Sequence, residues 1–198
     1  MVGLLAACGT KATPAERAEP TSKAVSAASA DNAEKPGVTV ILDHKVPTLE
    51  GETVDLSDYR GKALLVVNTA SQCGYTPQYE SLQKLQNQYA GKPFTVLAFP
   101  SNDFGEQEPG DPAEIRKFVT ETYGITFPMF AKTKVKGADK DPLYKTLTEQ
   151  TADGLRGEVK WNFTKFLVDP EGRVIARFGS GVDPLAAEVT SAIDKALP

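Results

Sequence analysis

Cys73 stands in the run Asn68-Thr69-Ala70-Ser71-Gln72-Cys73-Gly74-Tyr75-Thr76-Pro77. Glycine and polar Gln72 flank it, which suits a sulfur used for chemistry better than one filling space in a core. A cysteine on a turn that enters a helix meets unpaired amides and the positive end of the helix dipole, and both favour the nucleophilic thiolate. Spacing narrows what that thiolate can do. A dithiol exchange site needs Cys-x-x-Cys, but the fourth position is Thr76, so no disulfide forms within the motif. A peroxiredoxin site asks for Thr three residues ahead of the cysteine with Pro before it, whereas Thr69 lies four residues away. A cysteine protease or acyl transferase wants a histidine base, and the single histidine, His44, falls in a segment read as an exposed N-terminal hairpin. A lone activated thiolate is what survives.

Composition removes other chemistries. The 198 residues are 40% hydrophobic and 24% charged, the balance of a globular domain, and two cysteines are too few for a disulfide scaffold. With 22 basic against 26 acidic residues the chain carries a net charge of −4, which offers no footprint for a phosphate backbone and argues against nucleic-acid binding. One histidine cannot make a two-histidine metal site, so no metal and no cofactor are expected.

Residues 1–37 read as a tail: they hold ten alanines, no aromatic residue, four basic and four acidic side chains. Within it Leu4-Leu5-Ala6-Ala7-Cys8-Gly9 resembles a bacterial lipobox, in which the cysteine is lipidated and becomes the new N-terminus. The expectation is a signal remnant and tether that would hold residues 38–198 off a membrane through Cys8, placing the protein at the cell envelope. The alternative is an Ala-rich leader on a cytoplasmic protein, since the basic start and most of the apolar stretch of a signal peptide are missing.

The elements that must position Cys73 follow from local patterns. Residues 63–68, Ala-Leu-Leu-Val-Val-Asn, form a short apolar run expected as a strand buried on both faces, and 94–99 a second. Between them Thr76 as N-cap and Pro77 as first residue open a helix with Tyr79, Leu82, Leu85 and Tyr89 on one face, ended by Gly91. Asp111-Pro112-Ala113-Glu114 carries a capping-box pattern ahead of a helix facing inward with Ile115, Phe118, Val119 and Thr122. A helix follows Pro142, residues 163–169 and 173–178 form a hairpin about Pro170-Glu171-Gly172, and Asp183-Pro184 opens a last helix. The order β-α-β-α-α-β-β-α points to an α/β, thioredoxin-like fold: a central mixed sheet flanked by helices.

Three segments then carry a resemblance. Residues 68–79 around Cys73, residues 97–110 (Leu-Ala-Phe-Pro-Ser-Asn-Asp-Phe-Gly-Glu-Gln-Glu-Pro-Gly) and residues 161–167 (Trp-Asn-Phe-Thr-Lys-Phe-Leu) are similar, in order, to the signature segments of the glutathione peroxidase family. The similarity runs from about Val46 to the C-terminus. It implies a thioredoxin fold, reduction of hydrogen peroxide and organic hydroperoxides, and a catalytic set of Cys73, Gln107, Trp161 and Asn162, in the cysteine rather than the selenocysteine form. The residue types suit that chemistry, because amide and indole N–H donors stabilise first a thiolate and then a leaving oxyanion without bringing a charge of their own.

Two features depart from the pattern. Thioredoxin-using members commonly carry a second, resolving cysteine near positions 119 and 120, which here are Val119 and Thr120, and Ser101 stands where many members have a further cysteine. The sulfenic acid formed on Cys73 would therefore be reset by glutathione, a thioredoxin-type reductant or another external thiol, or by Cys8. The segment from Glu149 to Lys160 is short where tetrameric members of that family tend to carry a longer loop, so the resemblance implies a monomer. The competing readings are a redox relay that oxidises a partner protein through Cys73 and a thioredoxin-like binding module without activity.

Overall fold

The structure is a computed structural model that describes residues 40–198; Cys8 and the rest of the tail lie outside the described residues. Its centre is a four-stranded sheet in the order β4-β3-β5-β6. These strands are β3 (Ala63–Thr69), β4 (Phe94–Pro100), β5 (Lys165–Val168) and β6 (Val174–Phe178). A small antiparallel hairpin, β1 (Lys45–Pro47) with β2 (Thr53–Asp55), precedes them. Strands β3 and β4 are parallel and joined through α1 (Gln78–Gln88), while β5 runs antiparallel to both β3 and β6. Helices α2 (Pro112–Tyr123), α3 (Pro142–Glu149) and α4 (Ala187–Ala196) complete the chain. The expected element order and the mixed sheet are both present.

Every residue of β3 and of β4 is buried, because both faces of the sheet are covered. The two-residue period of a strand then sorts the side chains into two cores. Leu65, Val67, Val96, Ala98 and Leu167 join Tyr79, Leu82 and Leu85 of α1, Ile115 and Val119 of α2, and Val189 and Ile193 of α4. Leu64, Val66, Leu97, Phe99 and Phe166 join Leu143, Tyr144 and Leu147 of α3 on the other side. Cys73 belongs to the first core. His44 lies with the second: it is half-buried and its Nε2 sits 2.9 Å from the Thr146 hydroxyl on α3, with burial holding its pKa below the usual value against the charges of Asp141 and Asp43. It is no base for Cys73.

Local chemistry corrects three details. Thr76 does not cap α1, which starts at Gln78 after a Pro77 that offers no side-chain cap; its hydroxyl is spent on the Cys73 turn instead. The Asp183-Pro184 segment makes a turn, with Asp183 Oδ1 accepting the Leu185 N–H at 2.8 Å, and α4 begins only at Ala187. Thr122 is exposed, so the inner face of α2 is Ile115 and Val119 with Phe118 partly covered. The hairpin turn needs its glycine, because Gly172 has φ of +92° and a Cβ there would come within 2.6 Å of Leu42 Cγ.

Helix α2 shows the capping box in full, with Asp111 accepting from the Glu114 N–H and Glu114 accepting from the Asp111 N–H, and it ends on left-handed Gly124. Replacing Asp111 with Ala leaves first-turn amides unpaired and is expected to lower stability by about 1 kcal/mol, read as a lower urea midpoint at unchanged slope.

Candidate active site

Strand β3 delivers the chain to the site at Thr69, and a tight turn follows. The Thr76 hydroxyl donates to the Ala70 carbonyl at 2.8 Å and accepts the Cys73 N–H at 2.9 Å, while the Thr76 N–H returns to the Cys73 carbonyl at 3.0 Å. One small side chain thus fixes the turn. Cys73 is 7% exposed, and the Tyr75 N–H points at its Sγ from 3.4 Å. This amide is the one hydrogen-bond donor to the sulfur among the described residues. The donor is a turn amide; the first amides of α1 are occupied by the carbonyls of Tyr75, Thr76 and Pro77.

The loop after β4 brings Gln107. Gly105 and Glu106 both adopt positive φ, +63° and +54°, which for Glu106 is strain that a glycine would not carry. The Gln107 carbonyl accepts the Gln72 N–H at 2.9 Å, so this loop lies directly against the residue preceding Cys73. Its side-chain Oε1 accepts Asn162 Nδ2 at 3.1 Å, which turns the Gln107 NH₂ away from Asn162 and leaves it available as a donor. Asn162 is fully buried at the entry to β5, followed by Phe163 at φ of +61°, a strained value for an aromatic residue. Trp161 is 39% exposed and leans on Phe104, ring centroids 5.5 Å apart.

Cys73, Gln107 and Asn162 are thereby joined by direct bonds or through one neighbouring residue, with Trp161 adjoining Asn162. Sequence reasoning left Asn68 without a role, yet it ties two of these segments together. Its N–H donates to the Thr164 carbonyl, its carbonyl accepts the Phe163 N–H at 2.6 Å, and its Nδ2 donates to the Trp161 carbonyl at 3.2 Å. The signal was available: an Asn closing an otherwise apolar buried strand must find partners.

Two buried titratable groups flank the site. Glu108 has no exposed surface, and burial pushes its carboxyl up to about 7, against the opposing pull of the Ser71 hydroxyl, the Lys132 charge and the Ser71 amide. Lys165, at the start of β5, is equally buried and is pulled down to about 8 by burial, with Asp183 opposing. A groove of about 630 Å³ opens beside Ser71, Gln72 and Glu108 and runs along Ile115, Phe118 and Thr122 of α2.

The glutathione peroxidase family profile matches residues 41–148. The chain belongs to the glutathione peroxidase family. It is 49% identical to the hydroperoxy fatty acid reductase of a Synechocystis species, over 75% of this chain and 90% of that protein. It is 47% identical to a glutathione peroxidase of Lactococcus lactis, over 72% and 90%. Among solved structures, Trgpx in its apo form aligns with a TM-score of 0.63 at 39% identity, over 81% of this chain and 99% of that one. A thioredoxin-family thiol:disulfide interchange protein from Chlorobium tepidum aligns at 18% identity with a TM-score of 0.58, over 78% and 93%, which shows the shared thioredoxin-like fold alone.

The Glu108 carboxyl gives the site a pH signature. The folded state keeps the proton to about pH 7, whereas an unfolded glutamic acid loses it near 4.5. Folding therefore takes up a proton in between, so this contribution is fully present below about pH 4.5 and is lost as pH rises through 7, about 3 kcal/mol in all. Glu108→Gln is expected to flatten that decline, measured as urea midpoints between about pH 5 and pH 8. A Gln variant with the wild-type slope would mean that Glu108 titrates normally in the folded state.

Proposed function

We propose that Cys73 is the sulfur that performs the peroxidase chemistry of this family in the present chain. The observation that carries the reading is the Tyr75 amide aimed at Cys73 Sγ beside a Gln107 whose carboxamide is oriented by Asn162. The thiolate attacks one peroxide oxygen, an S–O bond forms as the O–O bond breaks, and the leaving alkoxide or hydroxide takes up a proton, giving Cys73-SOH and an alcohol or water. The Gln107 NH₂ and the Trp161 indole N–H supply donors for the oxyanion, with Asn162 holding Gln107 in its rotamer. Tyr75, two residues after Cys73, and Trp161, next to Asn162, are each 39% exposed and offer apolar surface to an organic hydroperoxide as well as hydrogen peroxide. The Synechocystis relative, named for hydroperoxy fatty acids, supports that breadth.

Cys73 is the one cysteine in residues 40–198, so no disulfide can form within that segment. An external thiol of the glutathione or thioredoxin type condenses with the sulfenic acid, releasing water and leaving a mixed disulfide, and a second thiol frees Cys73. The reading carries with it a monomeric peroxidase held at the cell envelope by lipid on Cys8. A chain recovered without lipid from the soluble fraction of its own cells would refute the envelope placement.

Cys73→Ser is expected to abolish peroxide turnover in a folded protein, and a sulfenic-acid probe should label wild-type Cys73 after one equivalent of peroxide. Retained turnover in that variant would refute the reading. Gln107→Ala should slow the oxidation step by roughly 10²–10³, the scale of losing one oxyanion donor, with a smaller effect on the thiol step in stopped-flow traces. After stoichiometric peroxide and glutathione, intact mass should show one glutathione on Cys73; a rapid Cys8–Cys73 disulfide in its place would overturn the external-thiol route.

A further inference from the structure

Among the described residues two lysines are buried, and their surroundings differ. Lys140 is neutralised by two carboxylates, Glu149 at 2.9 Å and Glu158 in closer contact, and it also meets the Thr148 hydroxyl. Lys165 has no carboxylate partner among the described residues. Its ammonium donates to three neutral oxygens: Gln78 Oε1 at 2.5 Å, the Val182 carbonyl at 2.6 Å and the Ser180 carbonyl at 3.5 Å. Burying a cation with no ion-pair partner, only the more distant charge of Asp183, is costly, and an apolar side chain would suit the start of a fully buried strand better on energetic grounds. The cost calls for a function.

The partners of Lys165 lead to the sulfur. Gln78 is the first residue of α1, and its Nε2 donates in turn to the Ser180 carbonyl at 2.6 Å, so ammonium and carboxamide together clamp residues 180–182 onto the helix start. The Gln78 backbone N–H donates to the Tyr75 carbonyl at 2.9 Å. The Tyr75 N–H is the group aimed at Cys73 Sγ. On its other side the Tyr75 hydroxyl lies against Gly181, 3.8 Å from where a Cβ would stand, and so against the loop that Lys165 holds.

We propose that Lys165 is a positioning residue for the peroxidase reaction, a buried ammonium that locks Gln78 and the 180–182 loop together and thereby holds the Tyr75 amide on the Cys73 sulfur. The assignment rests on Cys73 being the reacting sulfur. Lys165 acts through Gln78 and Tyr75 and touches no reacting atom. Its positive charge, uncompensated at short range, holds neutral acceptors that a shorter or apolar side chain would release.

The test compares wild type with Lys165→Met and Gln78→Leu in the full chain. Thiolate ultraviolet absorbance at neutral pH reports the ionised fraction of Cys73, with the spectrum of Cys73→Ser subtracted; stopped-flow oxidation by hydrogen peroxide and reduction by glutathione are timed separately. Both variants are expected to lose thiolate absorbance and to slow oxidation by about tenfold or more, the scale of one hydrogen bond to a charged acceptor, with the glutathione step nearly unchanged. The double variant should be no slower than the worse single one, because both cut the same connection. Gln78→Leu lies at a half-buried helix position, keeps Lys165 and its carbonyl partners, and decides the matter where Lys165→Met does not fold. Folded variants with wild-type thiolate absorbance and oxidation rate would overturn the proposal. Loss of activity in Cys73→Ser alongside such variants would leave the reading of Cys73 standing while removing the role of Lys165.

Discussion

The three hydrogen bonds that Asn68 makes to residues 161–164 are the constraint on which the rest of the site depends. β3 is fixed by burial on both faces, and a strand so placed cannot slide without moving its apolar side chains from one core to the other. Asn68 carries that fixed position outward. Its side chain and backbone hold the turn that presents Trp161 and Asn162, and Asn162 then holds Gln107. The same strand end launches the turn of Cys73, closed by the Thr76 hydroxyl. Loops that share no element are thus referenced to one rigid edge, which is how a site built of loops keeps its donors at fixed separation.

The sheet, the helix order and the capping box of α2 were legible because each rests on local chemistry: apolar runs, a Pro at a helix start, an Asp three residues before Glu. The places where sequence reasoning slipped share a cause. Thr76 has the propensity of a helix cap, but a tertiary demand, closing the turn over Ala70 and Cys73, takes its hydroxyl. The value of Gln107 could not be seen in its own loop, whose glycine-rich, polar composition suits solvent; it came from family resemblance and then from a bond to Asn162, a residue 55 positions away. Lys165 lies in the 161–167 segment, yet nothing in its neighbours announces that a lysine at a strand start would be buried without a carboxylate partner.

Strain and burial concentrate in the segments around Cys73. Glu106 and Phe163 take left-handed backbone conformations, Glu108 holds a carboxyl in a dry setting and Lys165 an ammonium. Elsewhere the described charges follow ordinary rules: Lys140 is paired twice, and Arg173 binds Asp169 and Glu171 at the hairpin. A fold that tolerates several costly groups in one region and few outside it is using stability drawn from its two apolar cores to maintain a geometry that the local sequence would not adopt alone.

A single cysteine in residues 40–198 also shapes the surroundings of the site. An enzyme that resolved its own sulfenic acid would need a second thiol brought to Cys73, hence a segment able to unfold or swing. α2, capped at both ends and packed through Ile115 and Val119, has the opposite character. Its outer surface instead forms one wall of the open groove that reaches Gln72 beside Cys73. Rigidity in α2 and openness beside it are two aspects of one arrangement: the capped helix leaves the groove open without having to unfold, and the external-thiol route proposed above asks for access of that kind.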